Sequence, residues 1–253
     1  MGHRGPFAMN PSYARDRERA VTDGGTTPAE RDLIVVSIGK NALIRPIEAR
    51  NREKEGGAIV AELTLFGGFE LRLAGGEMVD LPGQKDRALL ALLALRPGAT
   101  QSREKLAGLL WSERGDAQAR DSLKHALTRL RHCFAAGPPP IAADRRSVTL
   151  DPAALATDVG RFEQLLGDGT DDALEQAAML YRGDLLDGIA VHDPSFEEWL
   201  SSERQRLRQA VEDALTRLME RSLAAGASDR AAAAARRLLA LDPLRETACR
   251  TLM

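Results

Sequence analysis

DAQARDSLKHALTRLRHCF, residues 116–134, decides how this chain is read. Ala119, Leu123, Ala126, Leu127, Leu130 and Phe134 recur at intervals of three and four, the period of an amphipathic helix that buries one stripe. The opposite face is expected to be basic. Arg120, Lys124 and Arg131, spaced by four and seven, project along one stripe, with His125, Thr128, Arg129 and His132 beside it. Any solvated helix face can carry such charges, so the surrounding elements have to say what this one is for.

Outward from this helix, each neighbour has its own period. Upstream, Ser102 precedes Arg103-Glu104 and the apolar set Leu106, Leu109 and Leu110, a capped helix start without a full capping box, and Trp111 closes the helix as a core residue. Before it, Leu89, Leu92 and Leu93 place a helix over 85–95, stopped by Pro97-Gly98. Earlier still, 62–73 alternates apolar and polar residues around Gly67-Gly68, and Gly75-Gly76 turns the chain into Met78-Val79-Asp80-Leu81, a small antiparallel sheet. Downstream, the Gly-Pro run at 137–140 ends the long helix. Residues 141–150 then read as strand, charged turn and strand, with Arg145 and Arg146 at the tip. Sheet, three helices and hairpin over residues 60–152 make a winged helix-turn-helix.

The flanks differ in character. Residues 1–59 are polar and irregular and are expected to be a disordered leader. Within them, residues 33–43 look superficially like the first strand and glycine turn of a carbamate-kinase-like fold, but nothing downstream continues an alternating α/β domain. Beyond Asp151-Pro152 only helical patterns are found: 158–166, 172–181, a long one over 195–225 that is stopped by Gly226, 231–241 ended by Asp242-Pro243, and a last one from Leu244. Ala231 and Pro243 lie twelve apart, as do the last-helix alanine and closing proline of a tetratricopeptide repeat. The fold class expected is therefore mainly α, a winged helix with small antiparallel sheets followed by an all-α helical-repeat domain over 153–253.

Charge divides along the same line. The chain has a net charge of −2, yet 60–150 carries 13 Lys/Arg against 10 Asp/Glu while 151–253 carries 12 against 19. A mildly basic unit suits nucleic acid, and an acidic one repels it and suits a protein partner. Cys133 and Cys249 lack ligand spacing, so no disulfide framework, metal or cofactor is expected. Catalytic signatures of the GxSxG, HExxH or P-loop kind are not found, and an enzyme is not expected. Without an apolar run long enough for a membrane span, or a signal-peptide pattern, the expected location is the cytoplasm.

These residues together resemble the SARP-type bacterial transcriptional activators, which join a response-regulator-like winged helix to a bacterial transcriptional activator domain. The resemblance spans about residues 62–253. In the first part it is carried by Leu65-Phe66-Gly67-Gly68-Phe69, by the helix over 85–95, by Ser102-Arg103-Glu104-Lys105-Leu106 leading to Leu110-Trp111, and by Ala119-Arg120-Asp121-Ser122-Leu123 leading to Arg129-Leu130-Arg131. In the second part its carriers are 181–188 (YRGDLLDG), Phe196-Glu197-Glu198-Trp199-Leu200, Glu203-Arg204 and 241–246 (LDPLRE).

The resemblance implies double-stranded DNA as a partner, bound by Arg120, Lys124, His125, Thr128, Arg129 and Arg131 from the third helix and by Arg145 and Arg146 from the wing. It also implies RNA polymerase contact or self-association through the helical domain. The alternative is a protein-interaction scaffold whose winged helix no longer binds DNA. The family's helical domain usually carries further helix pairs, so a chain ending at Met253 is expected to be a fragment or short form, or to cover its last helix with another surface.

Overall fold

A computed structural model describes residues 60–134 and 140–253. The leader expected over 1–59, its strand-and-glycine stretch at 33–43 and the Gly-Pro run at 137–139 lie outside the described residues.

The first sheet grows from the alternation around Gly67-Gly68. β1 (Ala61–Thr64) and β2 (Glu70–Leu73) pair antiparallel, Leu63 opposite Leu71, and β3 (Met78–Val79) follows antiparallel to β2. Ala61, Leu63 and Leu71 face inward and are buried, whereas Glu62, Glu70 and Arg72 face water, so the period of two sets which face is core. The fourth strand corrects the expectation that only helices follow Pro152. β7 (Leu155–Thr157) lies parallel to β1 in the order β3-β2-β1-β7. Three residues are too few to show an alternation, and this strand exists because β1 offers an open edge.

The three helices follow the apolar spacing. α1 (Gln84–Ala94) buries an unbroken run from Ala88 to Ala94. α2 (Arg103–Leu110) starts at Ser102, whose hydroxyl accepts from the Lys105 amide at 3.5 Å, and ends at Trp111, 5% exposed and in the core as read. α3 (Asp116–Cys133) buries Ala119, Leu123, Ala126, Leu127 and Leu130. Each leucine sealed in this way contributes about 1.5–3 kcal/mol relative to exposure. Beyond α3, β5 (Ile141–Ala143) and β6 (Ser147–Leu150) form the expected hairpin, and β4 (Gln101–Ser102), a two-residue strand too short to read from sequence, joins them in the order β4-β6-β5.

After β7 the named elements are all helices, and Leu185, between the second and third of them, makes an isolated antiparallel bridge to Phe66. α4 (Asp158–Asp168) and α5 (Asp171–Leu180) are capped by the Thr157 and Thr170 hydroxyls, and Gly169, in the left-handed region at φ 65°, ends the first. α6 (Pro194–Ala224) runs for 31 residues, about 46 Å at 1.5 Å per residue. α7 (Ser228–Leu241) packs along it, and α8 (Glu246–Thr251) packs on α7. Ala231, the repeat-type alanine, is 0% exposed, as a small residue must be where two helices approach closely. The last helix is shorter than expected. Leu244 stays outside it and is exposed, while Ala248 is buried. The mainly α fold class, with a winged helix followed by stacked helices, is borne out, except that one strand pairing is parallel.

Candidate nucleic-acid interface

α3 has its hydrophobic stripe against α1 and α2, so its remaining surface sorts by angle from that stripe. At roughly 100° per residue, Asp121, His125, Thr128 and His132 lie directly opposite the buried leucines, and all four are exposed. Arg120, Lys124 and Arg131 do share one stripe, but it is a flank about a quarter-turn from the core rather than the face opposite it. This changes what each can reach.

That flank faces the wing. Arg131, half-buried, donates from Nε to the carbonyl of Ile141 in β5 at 3.3 Å, and Arg120 lies 3.9 Å from the Glu104 carboxylate in α2. Arg103, next to Glu104, donates to the Asp144 carbonyl at the wing tip, and its amide donates to the Arg146 carbonyl at 2.9 Å. Asp144 closes the tip by accepting from the Arg146 and Ser147 amides, both at 2.7 Å, and from the Ser147 hydroxyl at 2.8 Å. Those bonds hold the Asp144 carboxyl below its usual range and leave Arg145 and Arg146 exposed on a pinned turn. Lys124 is exposed between the two ends of the flank, and the Thr128 hydroxyl donates back to its carbonyl at 3.0 Å.

Arg129 departs from the expected set. It sits on the other flank, and its Nε and Nη2 both donate, at 2.7 Å, to Asp86 of α1, which is 2% exposed. That hydrogen bonding raises the Arg129 guanidinium above its ordinary range. A guanidinium engaged by both prongs with a buried carboxylate is a structural tie between α1 and α3. Gly83 makes the tie possible, because a Cβ there would lie 2.5 Å from the Asp86 carboxylate.

The helices behind this unit match a family model, the bacterial transcriptional activator domain, over residues 153–253. The C-terminal part of the chain is similar to that domain family. No curated protein matches the sequence. Among solved structures, Mycobacterium tuberculosis EmbR in complex with a low-affinity phosphopeptide is similar at a TM-score of 0.63 and 22% identity, covering 77% of this chain and 54% of that one. This chain therefore spans about half the length of that protein. The resemblance to SARP-type activators read from the sequence is borne out by the domain match and by the shared fold.

The activator domain is bonded to the winged helix at several points that sequence reading did not find. Asp158, at the start of α4, accepts from the Leu65 amide at 2.9 Å and the Phe66 amide at 3.0 Å. Burial pushes its carboxyl up, and the amides of Phe66, Leu65 and Val159 only partly offset that. The Leu186 amide donates to the Leu65 carbonyl at 2.8 Å and the Gly67 amide to the Asp184 carbonyl at 3.0 Å, while within the activator domain Arg204 of α6 holds the same segment through the carbonyls of Leu185 and Leu186. Two of the segments that carried the resemblance, 65–69 and 181–188, thus lie against each other. Their glycines reflect that approach, since a Cβ on Gly183 would stand 3.0 Å from the Gly67 Cα.

Proposed function

We propose that this chain is a DNA-binding transcriptional regulator of the activating kind. It lays α3 in the major groove, so that Asp121, His125, Thr128 and His132 meet base edges. Arg120, Lys124 and Arg131 on the flank, with Arg145 and Arg146 on the wing, lie where phosphates would run. The observation that carries this reading is the relation of α3 to the wing. Its cationic flank, rather than a random side, borders the wing: Arg131 donates to Ile141 at the start of β5, the strand that leads into a turn pinned by Asp144 and bearing two exposed arginines.

The activator domain serves a protein partner. Its excess of acidic residues, 19 against 12 basic over 151–253, opposes DNA contact and suits RNA polymerase or a second copy of the chain.

The test is selection of duplexes from a random-sequence pool by the purified chain, followed by binding titrations on enriched and unenriched DNA. Enrichment of a shared sequence is expected, with affinity for both duplexes reduced when Lys124, Arg131, Arg145 and Arg146 are replaced by Ala in a folded protein. Absence of enrichment, with elution from a DNA column at the low salt of any acidic protein, would favour a protein-interaction scaffold.

A further inference from the structure

The turn between α2 and α3 is held from outside the winged helix. Asp193, which precedes α6, is 1% exposed. One of its carboxylate oxygens accepts from the Ser112 amide at 2.9 Å and the other from the Ser112 hydroxyl at 2.7 Å. Lys85 of α1 lies 3.8 Å from the same carboxylate, donates to the Leu110 carbonyl at 2.5 Å and sits 5.6 Å from the centre of the Trp111 ring. Thus α1, the end of α2, the turn into α3 and the start of α6 converge on one carboxylate.

An aspartate immediately before a helix ordinarily accepts from amides in that helix's own first turn. Asp193 makes no such bond to α6, which instead begins with Pro194, whose missing N–H asks for no partner. The carboxylate is thereby free to face the other domain. A buried charge in this position needs its partners to be well placed, and these partners are the backbone and side chain of Ser112, in the turn that joins α2 to α3.

We propose that Asp193 is a positioning residue for DNA recognition: by fixing Ser112 it sets the direction of α3, and it makes α6 of the activator domain the support against which the recognition helix is held. This inference rests on the DNA-binding reading above. Asp193 does not itself meet DNA. Its loss should therefore leave the phosphate contacts in number and disturb the registration of base-reading side chains, for which displacements of about 1 Å matter.

The experiment uses the full chain with Asp193→Ala, Asp193→Asn, Ser112→Ala and Ser112→Ala/Asp193→Ala. The probes are a duplex enriched from a random pool by the wild-type chain and an unenriched random duplex, each titrated at several salt concentrations. For Asp193→Ala, the preference for the enriched duplex should fall roughly 10- to 100-fold, as loss of hydrogen bonds to a charged group implies. The salt slope on random DNA should stay unchanged. Ser112→Ala should lose less, and the double variant no more than Asp193→Ala alone, because both act through one contact.

A folded Asp193→Ala with a lower melting temperature but unchanged preference would overturn the positioning role, leaving Asp193 a stabilising residue only. Equal losses on both duplexes would overturn it too. Should Asp193→Ala fail to fold, Asp193→Asn and Ser112→Ala carry the same comparison, since each removes only part of the contact. A wild-type chain that enriches no duplex would instead overturn the DNA-binding reading itself.

Discussion

Arg129 in α3 grips Asp86 in α1 with two hydrogen bonds of 2.7 Å, and the two ends of the pair differ in exposure: the arginine side chain is 54% exposed and the aspartate 3%. Arg129→Ala strands a buried carboxylate, whereas Asp86→Ala leaves an arginine that can turn to water. The first change should cost about 1–3 kcal/mol, less than the 3–5 kcal/mol or so of a fully buried broken pair because solvent screens the arginine end. Asp86→Ala should cost less, and Asp86→Ala/Arg129→Ala should regain part of what Arg129→Ala loses. Urea unfolding of the four proteins measures this. Strictly additive losses would show that the two residues are not coupled.

The joint between the two parts of the chain depends on glycine at two positions. Gly67 has φ 73°, in the left-handed region, and Gly183 approaches its Cα. Gly67→Ala should lose about 1–2 kcal/mol from strain in that conformation. Gly183→Ala, at an ordinary φ, should lose stability through the 3.0 Å contact instead, as the two backbones are forced apart. Thermal melting together with limited proteolysis across 140–160 checks this, with earlier cleavage there expected in both variants. Melting and cleavage like wild type in either would mean that the joint has slack.

How much of this was legible in sequence follows from the range of each interaction. The stripe Ala119, Leu123, Ala126, Leu127, Leu130 and the alternation at 62–73 are local periods, and they gave α3 and the sheet with its faces assigned. Asp86, Asp158 and Asp193 look like ordinary first-turn or helix-start acids in sequence, and their partners lie 43, 93 and 81 residues away. No local pattern carries such a pairing. β7 was missed for the same reason, because Leu155–Thr157 becomes a strand only by lying on β1. Arg129 shows what a helix wheel leaves open. Its position on the wheel is sound, but the flank it occupies meets α1, and only packing decides which flank is free.

Tyr181 gives a pH signature for the activator domain. Its hydroxyl donates to Asp184 at 2.8 Å, and Arg208 donates to the same carboxylate. Burial, followed by the bond to Asp184, pushes the Tyr181 phenol up to about 12 from 10.0. The unfolded chain loses this proton first. The stabilisation is therefore complete below the ordinary tyrosine range and is lost as pH rises from about 10 through about 12. In a Tyr13→Phe background, which leaves Tyr181 as the remaining tyrosine of the chain, tyrosinate absorbance should reach its half-point near 12. A half-point near 10 with helical circular dichroism intact would contradict the buried, bonded phenol.

The wing and the recognition helix should separate in their salt dependence. Asp144 pins the tip through the Arg146 and Ser147 amides and the Ser147 hydroxyl, none of which belongs to an arginine side chain, so Arg145→Ala/Arg146→Ala should leave the turn intact. If each arginine neutralises one phosphate, the double variant flattens the dependence of log affinity on log salt by about 1.8. Its preference among sequences should be largely unchanged. Lys124→Ala, on the flank of α3, should behave in the same way with about half the change in slope. His125→Ala and Thr128→Ala lie opposite the core, where base edges are met. Each should cost about 1–3 kcal/mol on the enriched duplex and much less on random DNA, with the slope nearly constant. Titrations at four salt concentrations on both duplexes distinguish these patterns. The reverse assignment, in which the wing arginines change preference and His125 and Thr128 change only the slope, would mean that the hairpin rather than α3 reads sequence.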